Sequence, residues 1–112
     1  MKLAVIGSRS FSNYPQLCRE LDKYQIERII SGGASGADGL AARYARERNI
    51  DLVEHLPNYA KYGRRAPLER NKLIIQDADQ VVAFWDGKSA GTAHAISIAR
   101  RQGKNVIVQN PD

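Results

Sequence analysis

The sequence predicts an α/β layer sandwich around a mostly parallel sheet, and three observations carry that expectation. Short apolar runs alternate with helical patterns along the whole chain. Glycine-bearing loops follow the first, second and fourth of those runs. No repeat, linker or low-complexity tract interrupts the alternation, and the 112 residues make one domain, 1–112, with room for a real core. In such sheets ligands settle outside the carboxyl ends of the strands, where the strand order reverses. All three loops belong on that edge.

Leu3-Ala4-Val5-Ile6 is the first strand, and Gly7-Ser8-Arg9 stands where it should end. A close-approach glycine, a hydroxyl and a guanidinium fit a phosphate contact; a surface turn with a solvated arginine fits equally well. Ser12 or Asn13 can cap the next helix, Pro15 suits its first turn, and Leu17, Cys18, Leu21 and Tyr24 give it one buried stripe. The second strand, Glu27 to Ile30, runs into Ser31-Gly32-Gly33-Ala34-Ser35-Gly36-Ala37-Asp38-Gly39. A glycine loop opening a helix can turn backbone N–H groups toward an anion, and the helix start adds partial positive charge. The same glycines can instead serve a tight turn and close helix–sheet packing. Their spacing is not that of the dinucleotide fingerprint.

The helix after this loop buries Ala37, Leu40, Ala41, Tyr44 and Ala45 and leaves Arg43, Arg46 and Arg48 on its solvated face. Leu52-Val53-Glu54-His55 is a weaker third strand nearer a sheet edge. From Pro57 to Pro67 no helical or strand period is visible, and Tyr59, Tyr62, Arg64 and Arg65 make either a base-stacking and phosphate-binding loop or a packing loop. A helix resumes after Pro67 with Leu73, Ile74 and Ala78 inward and with Arg70 and Asn71 near its positive end. Gln80 to Trp85 is the clearest buried strand. After it, Asp86 can hold a ribose hydroxyl or act as a catalytic carboxylate, and Gly91-Thr92 at a helix start can donate to an anion. Gly87-Lys88-Ser89 mimics the end of a Walker A motif, but Val82 occupies the position of its first glycine, so a P-loop is not expected. His94 fits a surface or packing role. Val106-Ile107-Val108 is the last strand.

Composition narrows the function classes. One cysteine excludes an internal disulfide, and two histidines with it make no convincing zinc set, so no metal and no cofactor is expected. No apolar stretch reaches membrane-spanning length, and Met1-Lys2 leads into a strand without a signal peptide, so the expectation is a cytoplasmic protein with no membrane partner. A net charge of +5 suits anionic ligands, although the basic residues are scattered rather than blocked.

Taken together, Gly7-Ser8-Arg9, Ser31 to Asp38, the Tyr62-Gly63-Arg64 to Arg70-Asn71 segment and Trp85 to Thr92 resemble the SLOG superfamily. That group unites the LOG phosphoribohydrolases with the Rossmann-like domain of DNA processing protein A, and the chain is most similar to its small single-domain branch. The resemblance implies a three-layer Rossmann-like sandwich with a five-stranded sheet in the order 3-2-1-4-5, a nucleotide pocket and a possible homodimer. Arg70 matches the arginine of the LOG Arg-Lys pair, with Asn71 in place of the lysine. Gly91 and Thr92 match the Gly-Thr of the next LOG motif, whereas Ala95 stands at its glutamate. A carboxylate stabilises the oxocarbenium-like state of N-glycoside cleavage and an alanine does not. Hydrolysis would then need Asp86 or Asp38 as a substitute.

The leading expectation is therefore binding or sensing of a nucleotide or nucleotide-derived molecule such as AMP, ADP-ribose or a cyclic derivative. Its expected ligand residues are Gly7, Ser8, Arg9, Ser31, Gly32, Gly33, Ser35, Gly36, Asp38, Arg70, Asn71, Asp86, Gly87, Ser89, Gly91 and Thr92. A LOG-like hydrolase using Arg70 and Asp86 is one alternative. Single-stranded DNA binding in the manner of DNA processing protein A is the other.

Overall fold

The computed structural model describes residues 1–111. Strands β1 (Lys2–Gly7), β2 (Arg28–Ser31), β3 (Asp51–Glu54), β4 (Gln80–Phe84) and β5 (Asn105–Gln109) alternate with helices α1 (Tyr14–Leu21), α2 (Ala37–Glu47), α3 (Tyr59–Tyr62), α4 (Ala66–Asp77) and α5 (Ala90–Arg101). The five strands form one sheet in the order β3-β2-β1-β4-β5. Every pair is parallel, with Ala4 opposite both Ile30 and Val81 at the centre. This is the Rossmann-like α/β architecture expected from the sequence.

Two-residue alternation along the central strands builds two cores, one on each face of the sheet. Leu3, Val5, Ile29, Val82 and Phe84 point toward α1 and α2, where they meet Leu17, Leu21, Ala41 and Tyr44. Ala4, Ile6, Ile30, Val81 and Ala83 point the other way, onto Ile74, Ile75, Ala95, Ile96 and Ala99 of α4 and α5. All five residues of β4 are buried, as a strand covered on both faces requires. Phe84 is fully buried and stacks on Phe11 with ring centroids 4.8 Å apart. A side chain of this size contributes about 1.5–3 kcal/mol through burial alone.

Asn13 is the N-cap of α1, its Oδ1 accepting from the Gln16 amide at 3.0 Å. Cys18 is half-buried at the edge of the core. The stretch after Pro57 is not structureless: it holds the single turn α3, capped by Asn58, and a 3-10 turn at Gly63–Arg65. Four-residue helical turns are too short to show a period in sequence, so only their caps betray them. Leu73, expected inside, is 50% exposed while its neighbours Ile74 and Ile75 are buried. No helix among the described residues is long and apolar enough to cross a membrane.

Candidate functional site

The strand order reverses between β1 and β4: β1 is followed by β2 on one side, and β4 leads to β5 on the other. Backbone diverging on either side of such a point leaves a crevice at the carboxyl edge. A cavity of about 430 Å³ occupies it. Gly7, Ser8, Arg9, Asp38, Arg70, Asn71, Ser89, Gly91 and Thr92 line it, so the structure brings together residues from all three glycine loops and from α4. Ile6, Ser10, Ala34, Pro67, Leu68, Ile74 and Ala95 complete the wall. The sequence offered little to find these last residues, because apolar wall positions look like core; Pro67 at a helix start was the usable signal. Ala95 occupies the cleft where a LOG enzyme would present its glutamate.

The side chains divide into those that hold the cleft together and those left for a ligand. Ser8 belongs to the first group and is 1% exposed. Its amide donates to the Phe84 carbonyl at 3.0 Å, and its carbonyl accepts from the amides of Phe11 and Ala37. Its Oγ accepts from the Asp86 amide at 3.1 Å and lies 3.1 Å from Ser89 Oγ. Ser8 therefore stitches the β1, β2 and β4 loops together. Arg70 is likewise committed: Nη1 donates to the Gly32 carbonyl at 2.6 Å and Nε to Asn71 Oδ1 at 3.2 Å.

The glycine loop after β2 serves packing rather than an open phosphate cradle. A Cβ at Gly36 would collide with the Ser8 and Arg9 carbonyls, and one at Gly32 with the Arg70 guanidinium. Gly33 and Ser35 are exposed and Ser31 is wholly buried; none of the three lines the cavity. The amide that would meet a phosphate is already taken, since Ala34 donates to Asp38 Oδ2 at 3.1 Å. Burial pushes the Asp38 carboxyl up, against the lowering influence of the Ala34 amide, Arg70 and the Gly32 amide.

Asp86 is also redirected. Its Oδ1 accepts from the Lys88 amide at 2.8 Å and the Ser89 amide at 2.9 Å, an Asx turn that shapes the loop before α5. Those bonds, the Ser89 amide foremost, hold its carboxyl down at about 2. It does not line the cavity, and neither does Gly87, a solvent-facing turn glycine at φ 81°. Asp86, expected as a ribose contact or catalytic carboxylate, is instead engaged by the Lys88 and Ser89 amides of its own loop and lies outside the cavity lining.

What remains open is the first turn of α5. Ser89 makes no side-chain cap, and no acidic residue occupies that turn. The helix exposes its unpaired leading N–H groups and dipole there, beside Gly91 and Thr92 on the cavity wall. Thr92 is 7% exposed, and its hydroxyl has no hydrogen-bond partner among the described residues. Arg9 lines the same cavity, and its guanidinium has neither an ion pair nor a hydrogen bond among the described residues. A helix start, a hydroxyl and an arginine with no partner among the described residues thus belong to one cavity. No group of three or more metal-ligating side chains exists among the described residues.

Comparison with known proteins agrees with this architecture. A family model described as YAcAr, the YspA, cpYpsA-related SLOG family, matches residues 1–62. The chain is 33% identical over 85 residues to the Gene 61 protein of Mycobacterium phage D29, covering 70% of this chain and 68% of that one. In structure it is similar to DNA processing protein A from Helicobacter pylori, solved for its single-stranded DNA binding mode, with a TM-score of 0.74 and 25% identity over 96% of this chain. DNA processing protein A from Streptococcus pneumoniae shows the same fold at a TM-score of 0.74 and 20% identity. The chain spans 64% of the first of these structures and 49% of the second. With a model match over more than half its length and a sheet in the expected order, the chain belongs to the YspA, cpYpsA-related SLOG family.

Proposed function

We propose that the cleft holds the phosphate of a nucleotide unit and that single-stranded DNA presents it. The observation that carries the reading is the unpaired Arg9 guanidinium sharing a cavity with the uncapped first turn of α5. The Arg9 side chain forms no ion pair or hydrogen bond among the described residues, and a phosphate could meet both the guanidinium and the helix start. The similarity to the Helicobacter pylori protein supports a strand as the carrier. So does the basic surface next to the cavity in sequence, where Arg64 and Lys88 are exposed and outside any ion pair among the described residues. A strand has flanking phosphates for such cations; a free nucleotide does not.

The test is fluorescence anisotropy with a labelled deoxyoligonucleotide across a salt series. Binding should weaken with salt, and Arg9→Ala should lower affinity about tenfold and reduce the salt slope by roughly 0.7 for one lost single-strand contact. A folded wild-type protein that binds no oligonucleotide at low salt would sink the DNA reading.

A free nucleotide or nucleotide-derived molecule is the second reading, and the cavity volume of about 430 Å³ favours it, since clefts of this size hold compact small ligands. Calorimetry with AMP and ADP-ribose separates the two. Saturable binding of either, with no oligonucleotide binding, would establish the small-molecule reading instead.

A further inference from the structure

The cleft has a polarity that the phosphate site alone does not explain. Among its lining residues Asp38 is the one carboxylate, opposite in charge to Arg9 and Arg70. It is 8% exposed, so it forms wall rather than rim. Its Oδ2 accepts from the Ala34 amide at 3.1 Å. A carboxylate offers about four acceptor directions, so more than one remains for a ligand.

We infer, building on the nucleotide reading above, that Asp38 determines specificity: it accepts a hydrogen bond from a donor on the nucleoside part, a base amine or, at a strand end or in a free nucleotide, a sugar hydroxyl, and turns away a second phosphate directed at that wall. The ligand thus lies with one phosphate at α5 and Arg9 and its neutral, donor-bearing end along the glycine loop. In an ordinary anion-binding glycine loop, the amides of residues such as Ala34 would receive phosphate oxygens. Here a fixed negative charge already uses them. An added phosphate reaching that wall meets like charge where little water screens it, whereas a hydroxyl or amine meets an acceptor. Asp38 acts through selection and takes no part in any bond-making step.

Competition against a labelled deoxyoligonucleotide tests the assignment with AMP, ADP, ATP, inorganic pyrophosphate, 2′,3′-dideoxy-AMP and purine riboside monophosphate as competitors. AMP should compete at least about tenfold better than ADP, ATP or pyrophosphate. Loss of affinity with the dideoxy compound places the donor on the sugar, and loss with the purine compound places it on the base. Asp38→Asn keeps an acceptor for the Ala34 amide but removes the charge; it should bring AMP and ADP to within about threefold of each other. A circular-dichroism spectrum and a cooperative thermal melt like those of wild type show that this variant is folded.

Wild-type protein that prefers ADP or ATP overturns the inference, as does an Asp38→Asn variant with the wild-type ranking. Oligonucleotide binding that none of the competitors displaces also overturns it, while leaving the DNA reading intact. No binding of oligonucleotide or nucleotide by wild type fails the underlying reading itself.

Discussion

Arg70 Nη1 donates to the Gly32 carbonyl at 2.6 Å, so α4 is tied by one short charge-assisted bond to the loop that leaves β2. The guanidinium fills the space that Gly32 leaves by lacking a Cβ. Arginine and glycine, 38 positions apart, are a matched pair. Arg70 Nε also donates to Asn71 Oδ1, and the guanidinium charge works against the burial that raises the Asp38 carboxyl.

Cutting this tie should loosen the wall. Arg70→Ala is expected to cost roughly 1.5–3 kcal/mol of unfolding free energy, the range for a hydrogen bond to a charged group. Arg70→Lys should recover only part, because an ammonium cannot reproduce the planar fork that reaches Gly32 and Asn71 together. Urea denaturation measures both; equal stability of Arg70→Ala and wild type would remove the clamp role.

Two positive-φ glycines should respond very differently to alanine. Gly36 sits at φ 75° with the Ser8 and Arg9 carbonyls where a methyl would go. Gly36→Ala should cost more than roughly 3 kcal/mol, strain and collision together. Gly87, at φ 81°, has nothing within 4 Å of that position. Gly87→Ala should cost only the left-handed backbone penalty of roughly 1–2 kcal/mol. Thermal melts of the pair decide it, and a reversed order would mean the glycine loop is not packed against β1.

Asp86 and Asp38 should shape the acid limb of stability in opposite senses. Asp86 titrates at about 2 when folded, below its ordinary 3.8, so its contribution is complete above 3.8 and is lost as pH falls toward 2. Burial raises the Asp38 carboxyl above 3.8, so the folded state releases this proton at higher pH than the unfolded chain does. That contribution is present below 3.8 and is lost as pH rises through the raised value. In urea titrations across acid pH, Asp86→Asn should flatten the loss below 3.8 and Asp38→Asn the loss above it. A wild-type acid limb surviving Asp86→Asn would show that its Asx turn adds nothing.

Thr92→Val keeps the shape of a residue that is 7% exposed and removes a hydroxyl with no partner among the described residues. Stability should hold or rise slightly, since no hydrogen bond within the described residues is broken. Oligonucleotide affinity should fall by about 1 kcal/mol, the net worth of one hydrogen bond. Anisotropy alongside a melt separates the two effects, and unchanged affinity would exclude Thr92 from the phosphate site.

Local pattern was enough to read a mostly parallel sheet and its five strands, because apolar period and glycine punctuation are properties of neighbouring residues, while the strand order was implied by the resemblance to the SLOG superfamily. The structure then shows Leu3 and Val5 in one core and Ala4 and Ile6 in the other. Which loop atoms stay free depended on tertiary contact. Asp38 folds back onto the Ala34 amide, Asp86 onto its own turn, and Arg70 onto a carbonyl far along the chain. Those pairings depend on distances between separate elements, and no residue's identity encodes them singly. Hence Arg9 and the start of α5, both visible in sequence as candidates among many, stand out as the proposed anion site only once packing has occupied the others.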